Sequence, residues 1–241
     1  MARGKKILIC PLDWGLGHAT RCIPIIRSLT ERGAEVCIAS SGPALDLLRI
    51  EFPTNAFFEL PSYNPEYGKG SSLIVKMLRQ LPKFRKIIAA EHRYIEELAR
   101  TYRIDIIISD NRYGCYASGI ESIFITHQLS VVLPEGYSWA GPGVNWALHQ
   151  YIKKFNRIWI PDQPNSELTM PFYSKVVQHQ QYIGWLSRFD AETTNNNKVH
   201  RYKVIAILSG PEPQRSILEK KIRAGLSTLK ERSMIVLGKP G

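Results

Sequence analysis

Short runs made almost wholly of apolar residues, such as Ile7-Leu8-Ile9-Cys10, Val36-Cys37-Ile38-Ala39 and Val204-Ile205-Ala206-Ile207-Leu208, recur with helix-length stretches between them. A strand that is apolar at every position, without polar alternation, must bury both of its faces. Where such strands alternate with helices, a parallel sheet covered by helices on each side meets that demand. The pattern predicts strands at 6–11, 34–39, 56–60, 105–109, 122–126, 157–160 and 180–183. It predicts helices near 17–32, 43–50, 72–103 with a break at Pro82, 113–120 and 142–155. The expected fold class is therefore α/β, a doubly wound, Rossmann-like parallel sheet.

The first of these units carries the most chemistry. After Ile7-Leu8-Ile9-Cys10 the chain reads Pro11-Leu12-Asp13-Trp14-Gly15-Leu16-Gly17-His18-Ala19-Thr20-Arg21 and then Cys22-Ile23-Pro24-Ile25-Ile26. This is strand, glycine loop, helix. Two glycines let the backbone turn sharply and approach a ligand, and the free N–H groups of the helix start favour an anion there. His18 beside the second glycine adds a side chain able to take or give a proton near neutral pH. The loop is not a dinucleotide fingerprint, because Thr20 stands where a third Gly or Ala belongs and Ser40-Ser41, not an acid, follows the second strand. No Gly-Lys-Ser/Thr follows, which excludes a Walker loop.

The 241 residues suffice for one to two domains. No stretch is long and apolar enough to span a bilayer, and Met1-Ala2-Arg3-Gly4-Lys5-Lys6 enters a strand with no signal-peptide core, so a cytoplasmic location, peripheral at the inner membrane face, is expected. Cys10, Cys22, Cys37 and Cys115 form no Cys-x-x-Cys pair and read as reduced, buried thiols. The net charge of +11 is regional: eight Lys/Arg against three Glu from Lys76 to Arg103, and ten against three from Lys198 to Gly241. Such excess attracts phosphate-bearing substrates or anionic lipid heads, or simply solvates helix faces. Aromatics do not interleave with it and no nucleic-acid module is recognisable, so nucleic acid is not an expected partner. No metal cluster and no Asp-x-Asp is visible, and neither a metal nor a cofactor is expected.

The segment 60–72, rich in Pro, Tyr and Gly, reads either as a functional loop or as a connector. Residues 187–203, with Asn195-Asn196-Asn197, read as a linker between an N-terminal domain at 1–186 and a second unit at 204–241. That unit repeats the opening layout: a strand at 204–208, the loop Ser209-Gly210-Pro211-Glu212-Pro213-Gln214-Arg215, a helix at 217–229 and a strand at 234–237. A lone β-α-β unit of this size cannot bury a core of its own. The second domain is thus expected to be incomplete.

Pro11 to Arg21, together with Ser109-Asp110-Asn111-Arg112-Tyr113-Gly114, Thr126-His127-Gln128 and Ser209 to Arg215, resembles the two-domain GT-B glycosyltransferases. Within them it is most similar to the family 28 group that includes the lipid-intermediate N-acetylglucosaminyltransferase. The likeness covers the N-terminal domain and the first unit of the C-terminal one. It implies two Rossmann-like domains, with the acceptor mainly on the first and a nucleotide-sugar donor, UDP-linked, mainly on the second. It also implies that Gly15, Gly17 and His18 line the cleft; the substrate-binding candidates are Gly15, Gly17, Thr20, Arg21, Asn111, Arg112, His127 and Gln128. Ser209, Gly210, Gln214 and Arg215 would then lie at the donor diphosphate.

The residues place the site independently. Ligands of an open parallel sheet bind beyond the carboxyl ends of the strands where winding reverses, here between the first and fourth strands. His18 follows the first strand, Asp110 ends the fourth and His127 ends the fifth. Asp110 can orient His18, bind an acceptor hydroxyl or cap a following helix. His127 can serve an acceptor or phosphate, or simply pack at the surface. The reading is inverting sugar transfer to a hydroxyl or phosphate acceptor, lipid-linked or not, with His18 as base. A nucleotide-sugar epimerase of related fold and a non-catalytic sugar- or lipid-binding fragment are the alternatives.

Overall fold

The computed structural model describes residues 2–65, 72–133, 135–164, 179–189, 201–210 and 213–238. The chain divides into two compact units, 1–63 with 81–188 and 64–80 with 189–241. The sequence-based boundary at 186/187 lies two residues from the division at 188/189, while the grouping of 64–80 with the later residues has no signal in the sequence.

The first unit is one parallel sheet of seven strands in the order β3-β2-β1-β4-β5-β6-β7. The strands are β1 (Lys6–Pro11), β2 (Glu35–Ser40), β3 (Ala56–Glu59), β4 (Ile106–Asp110), β5 (Glu121–Ile125), β6 (Arg157–Ile160) and β7 (Gln180–Tyr182). Helices α1 (Leu16–Glu31), α2 (Gly42–Glu51), α3 (Ser72–Tyr102, of which residues 81–102 belong to this unit) and α4 (Gly141–Ile152) connect them, with a 3-10 turn at Ser138–Ala140 before α4.

Both faces of the central strands are buried, which is why they lack alternation. Ile7 and Ile9 of β1 and Val36 and Ile38 of β2 pack with Cys22, Ile23 and Ile26 of α1 and Leu45 and Leu48 of α2. Leu8, Cys10, Cys37 and Ala39, on the opposite face, pack with Ile95, Leu98 and Ala99 of α3. Phe124, Ile158 and Ile160 form a third cluster with Ile152 and Phe155. A fully buried Ile or Leu is worth about 1.5–3 kcal/mol, so these layers hold the sheet.

Two expected features are absent. Residues 113–120 form turns instead of a helix. Gly114 lies so close to α3 that an added Cβ would sit 2.5 Å from the Ile88 carbonyl oxygen, and Gly119 has φ 74°, so this connection is shaped by packing and tight turning. Helix α3 runs unbroken through Pro82, which is exposed.

The second unit contains β8 (Val204–Ile207), α5 (Gln214–Ser227) and β9 (Ser233–Val236), with the two strands paired in parallel. Ile205, Ile207 and Val236 are exposed, because two strands and one helix cannot cover both faces of their own sheet.

Candidate active site

Strands β1, β2 and β3 wind one way from the centre and β4 to β7 the other, so the reversal lies between β1 and β4. Pro11 and Asp110, the last residues of these two strands, are register partners, and the Leu12 N–H donates to the Asp110 carbonyl at 3.0 Å. Gly15 turns the chain into α1 with φ 79° and ψ 179°, a region open essentially to glycine alone. One turn into the helix, His18 and Arg21 come back over the end of β4.

There the fully buried Asp110 carboxylate gathers donors from one helix. His18 Nδ1 lies 3.0 Å from Oδ1, Arg21 grips both oxygens through Nε and Nη2, and the Cys22 thiol donates to Oδ2 at 3.7 Å. Burial works against the Asp110 charge as the largest single influence, but the hydrogen bonds from Arg21 and His18 outweigh it and hold its pKa below the ordinary carboxylate value. Burial, reinforced by Asp110, pushes the Cys22 thiol well up, so it remains a donor.

Arg21 Nη2, which carries two N–H groups, bonds Asp110 Oδ1 and also lies 2.9 Å from His18 Nδ1, so that ring nitrogen faces both a carboxylate acceptor and a guanidinium donor. In the tautomer with the hydrogen on Nδ1, that nitrogen donates to the Asp110 carboxylate and Nε2 keeps its lone pair. A histidine with a free Nε2, held by a carboxylate at Nδ1, is equipped as a general base.

The remaining predicted residues divide into those brought to this point and those turned away. Arg21 Nη1 donates to Nδ1 of His127 at 3.3 Å. Partial burial, then the charge of Arg21 and the nearness of His18, hold the His127 pKa below its ordinary value, keeping it neutral. Gln128 is exposed beside it, its backbone fixed by the buried Thr126 hydroxyl. Asn111 adopts φ 56°, left-handed, directly after Asp110. Because turns follow Asp110 where a helix was expected, the helix-cap reading of that residue falls away.

Helix α1 has no side-chain cap and no acid in its first turn, which leaves its N-terminal N–H groups for a ligand. Gly17 is exposed there with nothing near the place a Cβ would occupy. Thr20 folds its hydroxyl back to the Gly17 carbonyl at 3.0 Å.

Arg112 corrects the expectation of a binding residue, for it is wholly buried. Its Nε donates to the Pro11 carbonyl at 2.9 Å, Nη1 to the Pro61 carbonyl at 3.1 Å and to Glu91 at 2.7 Å, and Nη2 to the Ser41 hydroxyl at 2.7 Å. Asp13 lies 3.4 Å from Nη2 and receives the hydroxyls of Ser41 and Ser62. Glu91, buried on α3, also receives the Tyr63 phenol and the Gly114 N–H, each at 2.9 Å. One guanidinium thus ties together the ends of β1, β2, β3 and β4 beneath the loop that carries His18.

In the second unit Ser209, Gly210 and Gln214 are exposed before and at the start of α5, with Gly210 at φ 111°. Arg215 is a second correction. Buried, it donates through Nε to the Leu237 carbonyl at 3.0 Å and pairs with Glu219, so it holds α5 to the end of β9.

The sequence reading missed Glu91, Asp13 and Cys22. Glu91 had a signal, since it precedes Ile95, Leu98 and Ala99 at helical spacing on the buried face of α3.

The arrangement is first a doubly wound α/β sheet with a histidine–aspartate pair at its switch point. More narrowly, its fold is that of the GT-B glycosyltransferases. The glycotransferase of kitacinnamycin shares 16% identity, with a TM-score of 0.59 over 98% of this chain and 66% of that one. The spinosyn rhamnosyltransferase SpnG complexed with thymidine diphosphate shares 14%, with a TM-score of 0.53 over 95% and 65%. UGT2 of Phytolacca americana, complexed with UDP-2fluoro-glucose and pterostilbene, shares 12%, with a TM-score of 0.52 over 97% and 71%. The chain spans less than two thirds of the length of the first two. No protein-family model matches the chain, and no curated protein matches it.

Proposed function

We propose that this chain carries the acceptor-side machinery of a glycosyltransferase that moves a sugar from a nucleotide-sugar donor, UDP-linked, to a hydroxyl or phosphate acceptor with inversion and without a metal. The observation that carries the reading is His18, held through Nδ1 by the buried Asp110, at the switch point of a GT-B fold.

In the proposed step for a hydroxyl acceptor, His18 Nε2 takes the acceptor proton as the acceptor oxygen bonds to the anomeric carbon. The bond from that carbon to the donor's diphosphate breaks on the opposite side, and its electron pair leaves on the phosphate oxygen. Asp110 stabilises the imidazolium so formed. Gly15, Gly17, Thr20 and Arg21 at the uncapped start of α1, with Asn111, His127 and Gln128, are assigned to the acceptor. Ser209, Gly210 and Gln214 are assigned to the donor diphosphate. The basic balance of the chain and its four free, buried cysteines support a cytoplasmic protein, peripheral at the inner membrane face, with a lipid-linked acceptor.

The test incubates residues 1–241, and the longest product of the gene, with UDP- and dTDP-linked hexoses and candidate acceptors, following nucleoside diphosphate and glycoside by mass spectrometry. Acceptor-dependent release of diphosphate with a new glycoside supports transfer. Conversion of the donor sugar to an epimer without any acceptor would replace this reading.

A further inference from the structure

Beyond His127 the carboxyl edge of the sheet continues across β6 and β7, and it carries side chains that the transfer step leaves unused. Trp185, three residues past β7, is 74% exposed. Asp162, two residues past β6, is buried. The indole Nε1–H of Trp185 donates to Asp162 Oδ1 at 3.1 Å, and the Gln163 N–H donates to the same oxygen at 2.8 Å. Large aromatic side chains ordinarily bury most of their surface, so one that is held by its polar edge and left open on its rings needs an explanation.

The loop beneath it is firm. The Ile183 N–H donates to the Ile160 carbonyl at 2.9 Å, the Gly184 N–H donates to the Asp162 carbonyl at 3.2 Å, and Leu186 packs on the core cluster of β1 and α1. Trp185 therefore loses little freedom on meeting a ligand, which is how a preorganised contact gains affinity.

Position and chemistry say what it meets. Strands β4 to β7 are neighbours in the sheet, and Asp110, His127, Asp162 and Trp185 stand at or just past their carboxyl ends in that order. Adjacent strands lie about 4.8 Å apart, so the row from Asp110 to Trp185 runs about 14 Å, longer than one sugar ring. The row is also linked by charge: burial first, then Arg21 and His18, lower the His127 pKa, while Asp110 and Asp162 oppose that fall. Along it the exposed amides of Gln128 and Gln163 and the half-buried Asn111 offer donors and acceptors. With its N–H spent on Asp162, the indole offers only a flat apolar face. Such a face flanked by amides fits a pyranose ring, whose C–H groups line its flat sides and whose hydroxyls stand around its rim.

We infer that Trp185 is a sugar-stacking platform on the acceptor side, and that the acceptor is an extended glycan of more than one sugar ring, its reacting hydroxyl at His18 and a further ring on Trp185, with Asp162 positioning the indole. The inference deepens the transfer reading and rests on it for the reacting end.

The test reads glycan binding with no donor present, on an array of oligosaccharides and then by titration of those retained, with the matching monosaccharides alongside. An oligosaccharide should bind at least about tenfold more tightly than its monosaccharide, and Trp185→Ala should weaken it about tenfold. Trp185→Phe, which keeps a ring face, should stay within about threefold of the wild type. Melting of Trp185→Ala should match the wild type, because the side chain lies outside the core. No glycan retained, oligosaccharide and monosaccharide held equally, or binding unchanged in Trp185→Ala would overturn the inference. So would capture of flat aromatic aglycones alone, which would assign the face to that class. A chain that holds glycans through Trp185 yet releases no diphosphate from any donor would overturn transfer and leave the glycan site, whereas transfer that Trp185→Ala leaves untouched would overturn the platform and leave transfer.

Discussion

A guanidinium taken out of water must have its donors met, and every nitrogen of Arg112 is engaged by carbonyl, hydroxyl or carboxylate oxygen. Although burial opposes its charge, Glu91 and then Asp13 are among the neighbours that raise its pKa above the ordinary value. Replacing it with Met would strand the buried Glu91 carboxylate. Arg112→Met should therefore lose roughly 3–5 kcal/mol in urea unfolding, and Arg112→Lys less, since it keeps the charge but not the fork. A loss within about 0.5 kcal/mol for Met, typical of a surface site, would refute the structural role. Asp110 yields a pH prediction. Its folded pKa is depressed, so its contribution to stability is fully present above the unfolded value of about 3.9 and is lost as pH falls through the lower folded value. Asp110→Asn should flatten that part of the acid unfolding profile below about pH 4, followed by circular dichroism. A profile as steep as the wild type would contradict the assignment. Arg112 also shows where sequence ran out. Asp110, Asn111 and Arg112 are contiguous and polar, and Asp110 and Arg112 both turn inward to partners distant in the chain, Arg21 on α1 for the first, Glu91 on α3 and Ser41 after β2 for the second.

At the scale of elements, two glycines make opposite demands. Gly114 is pressed against the Ile88 carbonyl and Glu91, whereas Gly17 has an ordinary helical backbone and open space around it. Gly114→Ala should lower the melting temperature by several degrees, because the backbone of α3 cannot yield cheaply. Gly17→Val should change melting little but weaken ligand binding, as its side chain enters the space a ligand would need. Thermal melting beside ligand titration separates the two, and a large loss of melting temperature for Gly17→Val would make that glycine structural. The central strands β1, β2 and β4 were legible within a residue or so because burial on both faces writes an apolar run directly into sequence. The turns at 113–120 were not, since apolar spacing there also fits a helix and only packing against α3 excludes it. The β1–α1 loop was legible because Gly15 occupies a backbone region that names its residue.

For the molecule as a whole, a fold places strand ends together but does not by itself perform chemistry. The account rests on His18 being a base, not merely a histidine fixed by a neighbouring carboxylate. The direct test compares wild type with His18→Ala in a full-length protein that transfers sugar, measuring nucleotide-sugar binding by calorimetry and product formation by mass spectrometry. Donor binding should be retained, while transfer should fall by roughly a hundred- to ten-thousand-fold, the usual contribution of a positioned base. Transfer at the full wild-type rate by His18→Ala would contradict the account at its centre.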